Sequence, residues 1–354
     1  MSLFRKKEVV IDEPASEASA LLAIESRAVL EAHGWTMGFW TCSDEESIET
    51  SLHALGKGKD GWELVRPGKV RTDPRVSTED AEAMARTGPW VYIFGSHFGT
   101  KSGPLEPSRH FIARFREDRM EGRLDEAHLD VEIARGRFKL HRLLNDALKE
   151  SGLELLEPGE EERRCIRETR KRGRKKGKRW AGRVLKDDWP VDVEGAAFRS
   201  GGVLLFGLRY PVTRDGHPVL VEIEGIERLF RDPQDDPAVR QLWVLEGVGS
   251  AEEPRGIRAL EEDGGSFLAV TGSVDSAPEE SAILHDHPEG GKAESCLHRF
   301  TLPETPPRWI GVDAQRVEDL EAESKAEGIA ADTRGHLWYV MDDDRIRLKR
   351  LRSQ

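Results

Sequence analysis

The chain has 354 residues, 37% of them hydrophobic and 34% charged, with a formal net charge of −12. That is long enough for a large core, and no apolar run approaches the length of a membrane span. Cys42, Cys165 and Cys296 are far apart, which excludes a disulfide framework or a zinc ribbon and fits a reducing cytoplasm. Charge is unevenly spread: residues 163–183 hold twelve Lys/Arg and one Glu, a net +11, which leaves −23 for the remainder. The protein reads as an acidic body carrying one basic segment, so a nucleic-acid role would rest on that segment.

In chain order, Arg5, Lys6 and Lys7 precede only Val9, Val10 and Ile11 as an apolar run. This is too short for a signal peptide and reads as a strand. A loose segment begins at Glu17 (EASALLAI) and ends in GWTMGFWTCSDE. Gly56 to Gly61 matches GxGxxG, but the strand-like Trp62-Glu63-Leu64-Val65 follows where a helix is needed, so no dinucleotide site is implied. The stretch DAEAMARTGPWVYIFGSH occupies 80–97. Residues 138–151 place Leu140, Leu143, Leu144 and Leu148 at helical spacing before Gly152. The following residues, through 186, are acidic, then basic, and Gly-containing, which predicts a mobile insertion. DVEGAAFRSGGVLLFGLR (192–209), RGIRALEEDGGSFLAVTGS (255–273) and AEGIAADTRGHLWYVMDD (326–343) align with the segment at 80. Further strands are predicted at 109–115, 218–223, 241–245, 295–302 and 345–351.

Each aligned copy has a leading charged residue, small residues, a polar turn and an apolar strand. The leading positions are Glu17, Glu82, Glu194, Arg255 and Glu327, spaced by 65, 112, 61 and 72 residues. Units of about 60–70 residues fit four-stranded antiparallel blades, which cannot cover both faces alone and so pack around an axis. The predicted fold is an all-β, five-bladed β-propeller, with six blades as the alternative count. It forms one domain over 1–354, with a helical and basic insertion at 138–186. The final unit is too short for four strands, and the strand at 4–11 would complete it and remove an exposed edge. Small residues belong on inner strands near the axis, and the aromatic runs at 90–94 and 337–340 on outer ones.

Equivalent inner-strand side chains form a ring near one channel mouth, so Glu17, Glu82, Glu194 and Glu327 come close together. Crowded carboxylates raise one another's pKa unless donors or a cation neutralise them. Ca²⁺ or Mg²⁺ would suit four such oxygen ligands, and Arg255, with Arg258 nearby, offers a guanidinium instead. The plainer reading is that each glutamate accepts backbone N–H groups from the next unit. His97 and Arg209, with Ser96, Ser273, Asp342 and Asp343, close the next strands, and Arg109 and Arg214 stand nearby. His and Arg in such a place suit a small anionic ligand carrying phosphate or carboxylate, or an acidic protein partner. His285-Asp286-His287 has metal-ligand residue types but no third ligand, in an acidic loop. Segment 163–183 has Trp180 as its single aromatic, a weak nucleic-acid signal that equally fits contact with the protein's own acidic body.

The motifs DAEAMA…GSHFGTKSG…PSRHFIARF, DVEGAAF…LLFGLRYPV, PRGIRAL…LAVTGS and KAEGIAAD…LWYVMDDD resemble those of domain-of-unknown-function family 3616. That is a family of bacterial proteins similar at a distance to esterase-like and phytase-like propellers. The resemblance implies a propeller and supplies no catalytic roles. The expected function is ligand or partner binding at the channel mouth. The alternative is a divalent-metal-dependent hydrolase of an ester or phosphate ester, with a ring carboxylate as general base.

Overall fold

The structure is a computed structural model and describes all residues except 1–3, 12–17, 44–45, 101, 135, 232–234, 278, 305–308, 321–324, 343–344 and 354. The architecture is all-β, with helices confined to connections. Four sheets begin with a strand rich in small residues. Leu22–Ala23 leads to Met37–Cys42, Leu52–Lys57 and Trp62–Val65, and Ala81–Thr87 to Trp90–Gly95, Ile112–Arg116 and Glu132–Ile133. Asp192–Arg199 leads to Val203–Tyr210, Val219–Glu224 and Ala238–Glu246, with Trp309–Asp313 added in parallel at the edge. Gly256–Asp263 leads to Ser266–Gly272, Cys296–Phe300 and Gln315–Asp319. The fifth sheet runs Lys325–Ala331, Leu337–Asp342, Ile346–Ser353 and then Phe4–Ile11, the two chain ends pairing antiparallel from Phe4–Ser353 to Ile11–Ile346.

A strand points alternate side chains to opposite faces, and here both faces are covered. Trp40 packs with Phe115 and Ile93 of the second sheet, while its neighbour Phe39 packs with Trp338 and Val340 of the fifth. Phe94 and Phe206 join the second and third sheets, Trp243 and Ile257 the third and fourth, and Leu268 and Tyr339 the fourth and fifth. Burial on two faces explains why Met37–Cys42 is buried at every position instead of alternating with polar residues. The aromatic runs differ from expectation. They lie in the second strand of each sheet, beside the small-residue strand, because the space between adjacent sheets already admits large rings there.

The insertion is more ordered than its composition predicts. Lys139–Ser151 is a helix ended by Gly152 in the left-handed conformation (φ 77°). Glu160–Lys175 is a second helix, burying Cys165, Ile166, Thr169 and Gly173 on one side. Acidic residues in its first turn and basic ones in its last complement the helix dipole. Asp286 accepts from the Glu161 and Glu162 N–H groups, capping this helix from another part of the chain. The helices rest on strand-end loops through Phe98, Leu105, Ile166, Tyr210, Val274 and Ile283. Among the described residues, no helix is long and apolar enough to cross a membrane.

Candidate functional site

The first strands of four sheets share one irregularity. Pairing slips by one residue between Ala81 and Ala83, Val193 and Gly195, Ile257 and Ala259, and Ala326 and Gly328. A bulge of this kind re-aims the extra side chain. The extra residues are Glu82, Glu194, Arg258 and Glu327, each followed by Gly or Ala. Glu82, Glu194 and Glu327 line a narrow passage with Ala20, Ala259 and Gly328, with room for about one water molecule.

The guanidinium belonging to this set is Arg258, and not Arg255 as the alignment predicts. Arg258 is buried, pairs with Glu327, and lies 3.8 Å from Glu194. Arg255 turns outward to the Glu294 carbonyl (2.6 Å) and Glu253. The misplacement has a physical cause: the strand starts at Gly256, so Arg255 precedes it and the bulge falls inside the strand, at Arg258. Glu17 lies outside the described residues, as does Asp343, while Glu82, Glu194 and Glu327 do come together.

One layer outward, Arg209 pairs with Glu194 and lies 3.9 Å from both Asp192 and Asp275. Its Nε donates to the Ser273 carbonyl at 3.4 Å, and its Nη2 is buried without a hydrogen-bond partner. Burial opposes the charge on Arg209, but Glu194, Asp275 and Asp192 outweigh it and raise its pKa. Asp80 takes the Ser96 hydroxyl and pairs with Arg109 at 3.1 Å. Desolvation lifts Asp80 to about 6 against the pull of Arg109, and lifts Asp192 well above the carboxylate range with help from Glu194. Asp80 and His97 also have positive φ, 66° and 61°, at the same end of the second sheet. Such backbone is uncommon outside glycine and clusters at functional sites.

His97 does not join this cluster. Its Nδ1 faces His110 Nδ1 at 3.3 Å, and desolvation lowers its pKa to about 3, so it is neutral and cannot bind an anion by charge. Arg214 pairs with Glu154 on the surface. His287 lies 3.0 Å from Glu162, and Asp286 serves as a helix cap, so the His-Asp-His run packs the insertion down. Asp80, Asp192 and Asp275 were missed as site residues. The first two carried a signal, since D-x-E occurs at both 80–82 and 192–194.

The glutamates fit a divalent cation poorly, because Arg258 stands between Glu194 and Glu327 where the ion would bind. Among the described residues no group of three His, Cys, Asp or Glu converges as a metal site. The other end of the inner strands opens on a cavity of about 230 Å³ lined by Glu261, Glu262, Arg86 and Glu25. Glu261 stands where Ala85 and Ala197 lie in the neighbouring strands, and accepts from the Ala331 N–H at 3.2 Å. Desolvation pushes its carboxyl up from 4.5 to about 8. Between those values the folded state holds a proton that the unfolded state has lost, so this group's contribution to stability falls as pH rises. Glu261→Gln keeps the acceptor and should flatten that part of the slope. Urea denaturation across this pH window checks it, and an identical slope in the variant refutes it.

No protein-family model matches the chain, and no curated protein matches it in sequence. Solved structures are similar in overall form. A glucose dehydrogenase shares 11% identity at TM-score 0.42, covering 98% of this chain and 100% of that one. A streptogramin B lyase shares 10% at TM-score 0.37 over 99% and 98%. A mannose phosphorylase from Leishmania mexicana shares 11% at TM-score 0.43 over 98% and 87%.

Proposed function

We propose that the protein is a five-bladed β-propeller, closed by its N-terminal strand, that binds a small ligand at the channel mouth through Glu194, Arg209, Asp192, Asp275 and Asp80. Assignment to family 3616 and a cytoplasmic setting belong to the same reading, the latter supported by three buried free cysteines. The observation that carries it is the repeated bulge, which turns an ionisable side chain inward at one level of four strands. Nothing in strand pairing requires charge there, and burying charge costs free energy that a structural role alone could avoid.

Carboxylates outnumber arginines: Asp80, Glu82, Asp192, Glu194, Asp275 and Glu327 face Arg109, Arg209 and Arg258. This balance favours a ligand bringing positive charge or hydroxyl donors over the small anion expected from the sequence. Thermal-shift titration with spermidine, glucose and inorganic phosphate separates the classes. Spermidine or glucose should raise the melting temperature by a few degrees at about 100 times Kd, equivalent to about 2.7 kcal/mol. The shift should vanish in Asp275→Asn. Stabilisation by phosphate alone, or shifts equal in wild type and variant, would overturn the reading. An ester and phosphate-ester panel on the same samples tests the hydrolase alternative, for which the raised Asp80 and Asp192 carboxyls are suited to proton transfer.

A further inference from the structure

The helix Glu160–Lys175 has a face that the mouth does not use. Cys165, Ile166, Thr169 and Gly173 bury one side, which forces the basic residues of the segment onto the other. Arg163, Arg167 and Arg174 are exposed and, at steps of four and seven, lie in one stripe about 16 Å long. Their neighbours on the next stripe are partly neutralised, Arg164 by Glu161 and Lys171 by Glu168. Arg172 pairs with Glu106 of the body at 2.8 Å, whereas Arg163, Arg167 and Arg174 form no ion pair among the described residues, although the rest of the chain carries −23. The acidic body therefore does not absorb this charge.

We propose that this face binds the phosphate backbone of nucleic acid without reading sequence. Protein–protein interfaces are centred on apolar or aromatic anchors. Among the described residues, the large hydrophobics classed as exposed are Val10 and Leu185, and neither lies on this helix. Guanidinium groups in a row without such an anchor instead match phosphate oxygens, which accept bidentate contacts. At 0.1 M salt, screening over about 10 Å confines repulsion from the acidic body. The helix packs beside the strand-end loops above Arg209, so bound nucleic acid would lie over that rim. The inference does not depend on a small ligand binding there.

Fluorescence anisotropy with labelled duplex DNA and duplex RNA of unrelated sequence, on the full chain, tests it. Phosphate contacts from these three arginines alone predict an affinity loss of about 40-fold between 50 and 200 mM salt, and contacts from the lysines that follow add to it. Arg163→Gln/Arg167→Gln/Arg174→Gln should weaken binding at least about tenfold and flatten the salt slope by about 2.7. These side chains support nothing else, so the melting temperature should hold. If it does not, Lys175→Gln/Lys176→Gln/Lys178→Gln gives an independent reading and should also weaken binding. No binding at low salt, unchanged binding by folded variants, a strong DNA or RNA preference, or equal competition by poly-glutamate would each overturn the proposal.

Discussion

Arg258→Met should destabilise the protein by about 3–5 kcal/mol, the usual cost of removing one partner from a buried ion pair. The residue is 1% exposed, and its guanidinium lies between Glu194 and Glu327, both of which are buried. Methionine approximates the aliphatic stem, and Glu194 keeps its pair with Arg209, so the loss comes chiefly from Glu327 stranded near the axis and less from a cavity. Two consequences separate this cause from simple misfit. Adding Glu327→Gln should recover about 1 kcal/mol or more, because the stranded charge is gone. Lowering pH should narrow the gap to wild type, since a carboxylate stranded without its guanidinium takes up a proton in the folded state before the unfolded one does. Equilibrium urea denaturation of the three proteins measures both. A deficit that ignores both pH and the second substitution would mean that packing, not charge, explains the loss.

Glu117→Ala carries the other large effect, also about 3–5 kcal/mol. This carboxylate is 2% exposed and accepts from Trp40 Nε1 (2.6 Å), the Glu25 and Ser26 N–H groups (3.1 and 3.0 Å), and Arg86 Nη1 and Nη2 (2.9 and 3.0 Å). It therefore ties the first sheet to the second at the end of the inner strands opposite the charged mouth. Alanine leaves buried donors and a guanidinium without their acceptor, which costs more than the bonds themselves contribute. Glu117→Gln retains one oxygen but turns an amide toward donors, and should fall between wild type and alanine. Glu117→Leu with Arg86→Met should be milder than Glu117→Ala, because the stranded cation is removed too. Denaturant midpoints rank the four, and a double variant as unstable as Glu117→Ala would refute the network account.

Neither arrangement was equally visible beforehand. The small residues at 83, 195, 259 and 328, the D-x-E doublets and the apolar second strands are local patterns, and each corresponds to a strand. Glu117 shows no pattern at all: its partners stand 31 to 92 residues away, and nothing near it in the chain announces them. The basic insertion misled for a related reason. Composition there is dominated by Lys and Arg, while the four positions that make it a helix, Cys165, Ile166, Thr169 and Gly173, become apolar anchors only when Ile283 and Trp180 are packed against them.

From the sequence alone came the repeat, the all-β class, the three inner glutamates and the strand at the N-terminus. All of these follow from side-chain periodicity and from the need to bury apolar faces. The tertiary structure alone decided that Arg258 and not Arg255 meets those glutamates, that Asp80, Asp192 and Asp275 surround Arg209, and that His97 turns away to His110. Each depends on a one-residue slip in strand pairing or on a contact across sheets. A slip of one residue reverses the direction in which a side chain points, and letter order along the chain carries no record of it.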